Sequence, residues 1–389
     1  MLKHPLHNVA IVGVHNTKQA KRLDGYTSES ITMEAVRGVL DDAGLKPSDI
    51  DGVSSSSGSP MTGLASGHLA YLMGVKHAWL ASMGGGGING FMEAANAIAV
   101  GECHTVLMAT GQAGAYTDHA ATAPWTRPDH QFIACWGLFT AVEFALIARR
   151  HMHLYGTKPE HLAKVAATIR NNGHINPEAV YYKRGPFTIE DILASRMVAD
   201  PYHLLDCAMT SEGGSALILT TVERARHMKR KPIYVLGGAR ESFGPSYHYP
   251  PSWDRTGWVG REGAKKSFAM AGIKPHDVDV CEFYDPFSFE IIRQFEAFGF
   301  CAEGEGGDYV MSGVIEPGGK HPITTDGGLM SFSHGGSTVQ LLQRVVQAAK
   351  QLRGEAGPNQ VPNAKIAMAT NGGAGALFTW MCVLGSERP

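Results

Sequence analysis

Apolar and polar positions alternate in two registers along this 389-residue chain. Short apolar runs of strand length lie at His7–Val14, Thr105–Thr110, Ala216–Thr221, Ile233–Ala239 and Ile366–Thr370. Between them lie longer stretches with helical spacing: Ile31–Ala43, Gly87–Val100, Trp136–Tyr155, Ser288–Phe298 and Val339–Leu352. Such alternation predicts a layered α/β protein with helices covering mixed sheets. The stretches 112–135 and 240–260 break the pattern with His, Tyr, Trp and Pro, and read as excursions that shape a pocket.

The chain also repeats itself. Residues 43–51 read AGLKPSDID and residues 271–279 read AGIKPHDVD. Each copy follows a helix-like segment and precedes an apolar run. A second echo sets Val106–Thr110 followed by glycine against Ile366–Thr370 followed by Asn-Gly-Gly. Two echoes in the same order indicate a duplicated unit, with halves at 1–222 and 232–389 and an excursion at about 112–200. The charged segment 222–231 reads as a solvated linker between them.

Composition narrows the functional classes. Hydrophobic residues make up 44% and charged residues 18%, enough for a large core. The net charge of −2 argues against a nucleic-acid surface, which needs a basic excess. The six cysteines, Cys103, Cys135, Cys207, Cys281, Cys301 and Cys382, form no CxxC pair, and the 18 histidines show no HExxH spacing. A disulfide framework and a metal site are therefore not expected. No signal-peptide layout and no stretch of bilayer-spanning length is seen, so a cytoplasmic protein is expected.

Several motifs resemble the thiolase superfamily. Both halves carry AGxxPxD and a glycine-rich turn before a long helix. Ser195–Cys207 followed by Ser211-Glu-Gly-Gly-Ser-Ala216 is similar to the sterol-carrier-protein-type branch. So are Glu282-Phe-Tyr-Asp-Pro-Phe-Ser288, Gly299–Asp308 and Thr325-Asp-Gly-Gly328. The resemblance implies two βαβαβαββ halves in a five-layered α-β-α-β-α arrangement.

It also locates what is missing. Thiolases carry an acyl-accepting cysteine at a helix N-terminus, where backbone amides and the helix dipole favour the thiolate. The matching segment here is Ser82-Met-Gly-Gly-Gly-Gly-Ile88, and the cysteine position falls on Gly84. The second thiolase cysteine, a base, falls on Thr370, which cannot act as one near neutral pH. Cys281, Cys301 and Cys382 read as core.

His334 stands where the family has its oxyanion-hole histidine. Tyr284 replaces a histidine and resembles the aldolase members of the branch, the steroid side-chain-cleaving enzymes. Those relatives carry a second tyrosine where this chain has His334. The expected reaction is retro-aldol cleavage of a β-hydroxyacyl-CoA, which needs no acyl-enzyme. Tyr284 acts as base or acid; His334, Gly84, Gly85, Asn371 and Gly372 surround the enolate oxygen or the substrate; Asp285 orients its loop. Asp118, His119 and His130 read as surface polar residues. Two alternatives stay open: an acyltransferase or thiolase subunit of a mixed complex, and a non-catalytic acyl-CoA-binding subunit. The resemblance further implies a homodimer core and a small OB-fold acyl-CoA-associated partner, with coenzyme A entering only as part of the substrate and no separate cofactor.

Overall fold

The two copies of the repeated motif fold alike, residue by residue. The structure is a computed structural model describing residues 4–56, 64–76, 78–81, 87–114, 140–244, 251–373 and 377–388. In each copy the glycine closes a helix in the left-handed region, with φ 71° at Gly44 and 69° at Gly272. Proline then opens a single 3₁₀ turn, Pro47–Asp49 or Pro275–Asp277. The turn's aspartate closes it, since the amides of Lys46 and Lys274 each donate to the Asp49 or Asp277 carboxylate at 2.8 Å. The motif's last aspartate ties down a neighbouring strand. Asp51 accepts from the amides of His104 and Thr105, and Asp279 from those of Lys365 and Ile366. Every retained residue thus has the same local task twice.

The strands extend that symmetry. In the first half, β1 (Val9–Asn16), α1 (Ser28–Ala43), β2 (Gly52–Ser54), α2 (Ser66–Met73), β3 (Trp79–Leu80), α3 (Gly87–Val100) and β4 (Thr105–Gln112) follow in order. After β4 the chain leaves the sheet for α4 (Thr140–Tyr155), α5 (Pro159–Ile175) and a small ribbon, β5 (Met197–Ala199) with β6 (Tyr202–His203). It returns as β7 (Gly213–Thr221). The second half supplies β8 (Ile233–Ser242), α6 (Arg261–Ala271), β9 (Val280–Glu282), α7 (Ser288–Ala297), α8 (Gly336–Arg353), β10 (Ile366–Gly373) and β11 (Phe378–Gly385). The strand order is β3-β2-β4-β7-β1-β8-β11-β10-β9. From the seam between β1 and β8 it reads outward the same way on both sides, with β7-β4-β2 on one and β11-β10-β9 on the other.

Side-chain alternation sorts the layers. Val9 and Ile11, Val106 and Met108, and Leu217 and Leu219 join one buried cluster with Ala367, Ala369, Cys382 and Leu384 of the second half. That cluster also holds α3 and α8, so these two helices lie between the halves. The intervening residues Ala10, Val12, Leu107, Ala109, Ala216 and Ile218 pack outward against α1 and α2. On the other side Leu236, Met368, Met381 and Val383 pack against α6 and the helices α4, α5 and α7. The result is the five-layered α-β-α-β-α arrangement. The helices match their layers. The buried residues of α1 recur as Ile31, Ala35, Val36, Val39, Leu40 and Ala43 on one face, whereas α3 buries Ile88, Phe91, Met92, Ala94, Ala95, Ala97 and Ile98 around much of its girth.

Two expectations change. The segment 222–231 is not a plain solvated linker. It begins with a helical turn, Val222–Ala225, and Arg230 reaches Asp42 at 2.6 Å and Glu355 at 3.3 Å, pinning one half to the other. The described part of the 240–260 stretch does not stand off the core: Trp253 is buried, with its ring 4.8 Å from that of His151 on α4. The remainder of that stretch and most of 112–135 lie outside the described residues, as do Asp118, His119 and His130. The second long helix of the excursion, α5, was not anticipated. Pro159 at its first position and its buried run from Leu162 to Gly173 are the signals that mark it.

Candidate active site

Tyr284 sits just past the end of β9, where the chain leaves the sheet. Phe283 is sunk among Phe295, Phe298 and Phe300, with ring centres 5.3–5.8 Å apart, and this anchors the exit. The Tyr284 backbone is then clamped. Its amide donates to Thr370 Oγ1 at 2.9 Å, its carbonyl accepts from Gln294 Nε2 at 2.8 Å, and the Thr370 hydroxyl donates to Gln294 Oε1. These three bonds close a ring between β9, β10 and α7. Thr370 is fully buried and committed to holding Tyr284. The tyrosine ring rests on Gly372, where an added Cβ would lie 3.4 Å from Tyr284 Cδ1 and 2.8 Å from the Phe378 carbonyl oxygen. A larger residue there displaces β11 or the ring.

Asp285, the next residue, turns inward and is wholly buried. Its two carboxylate oxygens accept from the amides of Leu329 at 3.1 Å and Met330 at 3.2 Å. Those amides belong to a five-residue π-helical turn, Gly328–Phe332, a rare element that recurs at functional sites. Gly328 is required there: φ is +57°, and a Cβ would fall 2.1 Å from Asp285 Oδ2. Burial pushes the Asp285 carboxyl up to about 7, against the pull of the Arg344 charge and the two amides. Asp285 thus joins the Tyr284 segment to the turn that delivers His334.

The turn is braced from below. Arg344 of α8, fully buried, donates to both oxygens of Asp326 at 2.7 and 2.8 Å and to Glu282 at 3.3 Å, while Asp326 caps the Gly328 amide at 2.8 Å. Burial and the nearby Asp326 push Glu282 up to about 8. Arg170 of α5, also buried, donates to the carbonyls of Leu205, Cys207 and Met330. Neither arginine stood out in the sequence; an arginine inside an otherwise apolar helical face is the signal that finds both.

His334 follows the turn. Its amide donates to Ser211 Oγ at 2.7 Å, and its Nδ1 lies 2.6 Å from the Met209 carbonyl oxygen. A carbonyl can only accept, so Nδ1 carries the hydrogen. Burial lowers the imidazole to about 4, with Lys21 adding to the effect and the Met209 carbonyl opposing it. The ring is therefore neutral near pH 7 and presents a lone pair at Nε2. In that form His334 accepts a proton at Nε2 and has none there to donate.

Asn371 follows Thr370 on β10. The pleat that turns Thr370 and Gly372 toward Tyr284 turns Asn371 the other way, to the side of the central helices. It is fully buried, and among the described residues neither its amide oxygen nor its nitrogen has a hydrogen-bond partner. Such a group costs about 1–3 kcal/mol unless something satisfies it. Gly84 and Gly85 lie outside the described residues. The structure thus sets Gly372 against the Tyr284 ring, ties Asp285 and through it His334 to the π turn, and leaves Asn371 on the opposite face of β10. Sequence reading also missed Glu143, a lone acid in the apolar run 140–148. It is buried on α4 beside Phe144, whose ring is 5.1 Å from that of Phe287, and burial pushes its carboxyl up to about 8.

Burial pushes the Cys103, Cys207 and Cys301 thiols up to about 12 and raises those of Cys281 and Cys382 well above the ordinary thiol value. Among the described residues no group of three potential ligands clusters. His151 is already satisfied by Glu296 at 3.0 Å and Thr157 at 2.8 Å. No helix among the described residues is long and apolar enough to cross a membrane.

Known proteins share this frame. Residues 251–386 match the family described as thiolase C-terminal domain-like. A steroid side-chain-cleaving aldolase of Thermomonospora curvata is 31% identical over 97% of this chain and 98% of its own length. The chain belongs to the thiolase superfamily, in its sterol-carrier-protein-type branch with the side-chain-cleaving aldolases. A 17-hydroxy-3-oxo-4-pregnene-20-carboxyl-CoA lyase of Mycobacterium tuberculosis is 32% identical over 89% of the chain and 91% of its own length. Among solved structures, that of an Ltp2-ChsH2(DUF35) aldolase covers 98% of this thiolase-like chain and 99% of its own, at TM-score 0.83 and 30% identity. An acetyl-CoA acetyltransferase of Methanothermobacter thermautotrophicus is also similar, at 33% identity over 95% of the chain and 97% of its own length.

Proposed function

We propose that this thiolase-like lyase cleaves a β-hydroxyacyl-CoA by retro-aldol chemistry, with a steroid side-chain thioester as the substrate class. The observation that carries the reading is the use made of Thr370. The position that holds sulfur in thiolases here holds the backbone of a tyrosine in place. In the cleavage, a base removes the β-hydroxyl proton, the Cα–Cβ bond breaks, a ketone leaves, and the electron pair passes to the thioester enolate. A proton then returns to Cα. His334 Nε2, neutral and unprotonated, suits the base. The Tyr284 hydroxyl suits the acid that steadies and reprotonates the enolate. The unpartnered amide of Asn371, with the backbone amides at Gly84 and Gly85, suits the enolate oxygen.

The names of the similar lyase and of the two-component aldolase support a coenzyme A thioester and a protein partner. A small OB-fold acyl-CoA-associated partner and a homodimer core complete the proposal. The similar acetyltransferase keeps acyl transfer as the competing reading.

The test is cleavage of a 17-hydroxy steroid side-chain CoA thioester by the chain co-purified with its partner, in D2O and without free coenzyme A. The expected products are a 17-ketone and a short acyl-CoA carrying one deuterium at Cα. Product formed only when free coenzyme A is added would overturn the retro-aldol reading in favour of thiolytic transfer.

A further inference from the structure

A group of cations beside His334 has no place in the chemistry above. Lys21 and Arg184 are exposed and converge, with buried Arg170, on the ring of Tyr181. Lys21 Nζ lies 5.5 Å from the ring centre, Arg170 Cζ 5.1 Å and Arg184 Cζ 5.3 Å. The next residues continue the patch: Lys183 Nζ lies 5.1 Å from the centre of the exposed Tyr182 ring. Lys183 is one of three non-glycine residues among those described with positive φ, at 61°, a conformation that costs energy and recurs at binding sites.

Among the described residues no acid is ion-paired with the three exposed cations Lys21, Lys183 and Arg184, whereas Arg22 beside them is paired with Asp24 and Lys350 with Glu178. The cations that bear on Lys21 are Arg170 and Arg184, and burial together with these neighbours, offset in part by Tyr181, holds its ammonium below the ordinary lysine value. Like charges gathered in this way repel until an anion joins them.

The patch is fastened to the segments that hold His334. The amides of Val180 and Tyr181 donate to the carbonyls of Phe332 and Ser331, the last residues of the π turn. Lys21 Nζ donates at 3.4 Å to the Thr210 carbonyl, next to Met209, whose own carbonyl fixes the His334 ring. The cations therefore lie outward of His334 on the same support.

We propose that Lys21, Lys183 and Arg184, around Tyr181 and Tyr182, form the site for the nucleotide phosphates of the thioester's coenzyme. This rests on the coenzyme A reading above. A pantetheine arm separates the reacting thioester from those phosphates, so their site must lie at the surface, outward of the proton-handling groups. Guanidinium and ammonium donors match phosphate oxygens, and an exposed tyrosine offers a face to a purine. Arg170, committed to three carbonyls, supports the patch without joining it.

Two measurements test the site with the full chain and its partner. Calorimetry with adenosine 3′,5′-bisphosphate, a probe that needs no turnover, is expected to show binding that weakens about tenfold in Arg184→Ala and further in Lys21→Ala/Arg184→Ala. Both side chains are exposed, and Arg184→Lys, which keeps the charge, should recover most of the affinity. The second measurement is the preference in kcat/KM for the coenzyme A thioester over the phosphate-free pantetheine thioester. It should fall by about tenfold or more in the double variant. An unchanged preference with unchanged bisphosphate binding would overturn the proposal. So would loss of affinity for the partner protein alone, which would make the patch a docking surface for acidic protein. A wild-type chain that binds the bisphosphate but cleaves no thioester would leave this site standing and sink the lyase reading instead.

Discussion

The two halves of the molecule are alike at one end of their strands and different at the other. Asp51 and Asp279 perform the same task, each catching the first amides of a neighbouring strand. Five residues further on, the halves part. The first half has Ser56, whose hydroxyl donates to the Leu64 carbonyl at 2.8 Å. The second has Tyr284, locked by Thr370 and Gln294 and followed by an aspartate that reaches into the π turn. The scaffold is thus kept twice, while the Thr370–Gln294 clamp on a tyrosine backbone stands in the second half.

The comparison can be broken in four ways. Tyr284→Phe has the largest expected effect, a fall in kcat of about 10²–10⁴-fold for loss of an acid–base group, while Ser56→Ala changes kcat by less than about twofold. Steady-state cleavage rates check the pair, and equal losses would erase the distinction between the halves. His334→Asn should cost at least about 10²-fold. In the wild type the acid limb of kcat/KM should lie near 4, where the half-buried ring takes up a proton, with no inflection near 6.5. The same depressed value carries a stability cost. As pH falls from about 6.5 toward 4 the unfolded chain binds a proton that the folded chain refuses, so stability is lost across that window.

Thr370→Val leaves the Tyr284 amide and Gln294 without their shared partner. It should destabilise by about 1–3 kcal/mol in urea unfolding and lower kcat about tenfold with KM little changed. An unaffected kcat would mean that the clamp is packing alone. Asp51→Asn and Asp279→Asn should have the smallest effect on turnover and a similar effect on each other, about 1 kcal/mol of stability apiece. Burial opposes ionisation of Asp51, but hydrogen bonds from Thr105 and His104 outweigh it and hold the carboxyl below its ordinary value. Its contribution is therefore present above that ordinary value and lost as pH falls through the acid range.

Much of this was legible in the chain because it rests on local rules. Gly44, Pro47, Asp49 and Asp51 can each be assigned from the backbone geometry that each residue type permits, and the echo at 271–279 repeats the assignment. Tyr284, Asp285 and His334 emerged because the motifs around them are dense. The clamp did not, because Thr370, Gln294 and Tyr284 are brought together from two strands and a helix that sequence places far apart. Nor did the tautomer of His334, which depends on the Met209 carbonyl 125 positions away. The linker's ties were hidden for the same reason: its charges are mostly exposed, and Asp42 and Glu355 meet Arg230 only in the fold.

The account's central claim is that cleavage proceeds without sulfur, through Tyr284 and His334. The most direct measurement is the intact mass of the wild-type chain trapped during turnover of the steroid side-chain thioester. The account predicts an unmodified chain at every time point while ketone and acyl-CoA accumulate. An acyl adduct on any cysteine that forms and decays at the turnover rate would contradict it.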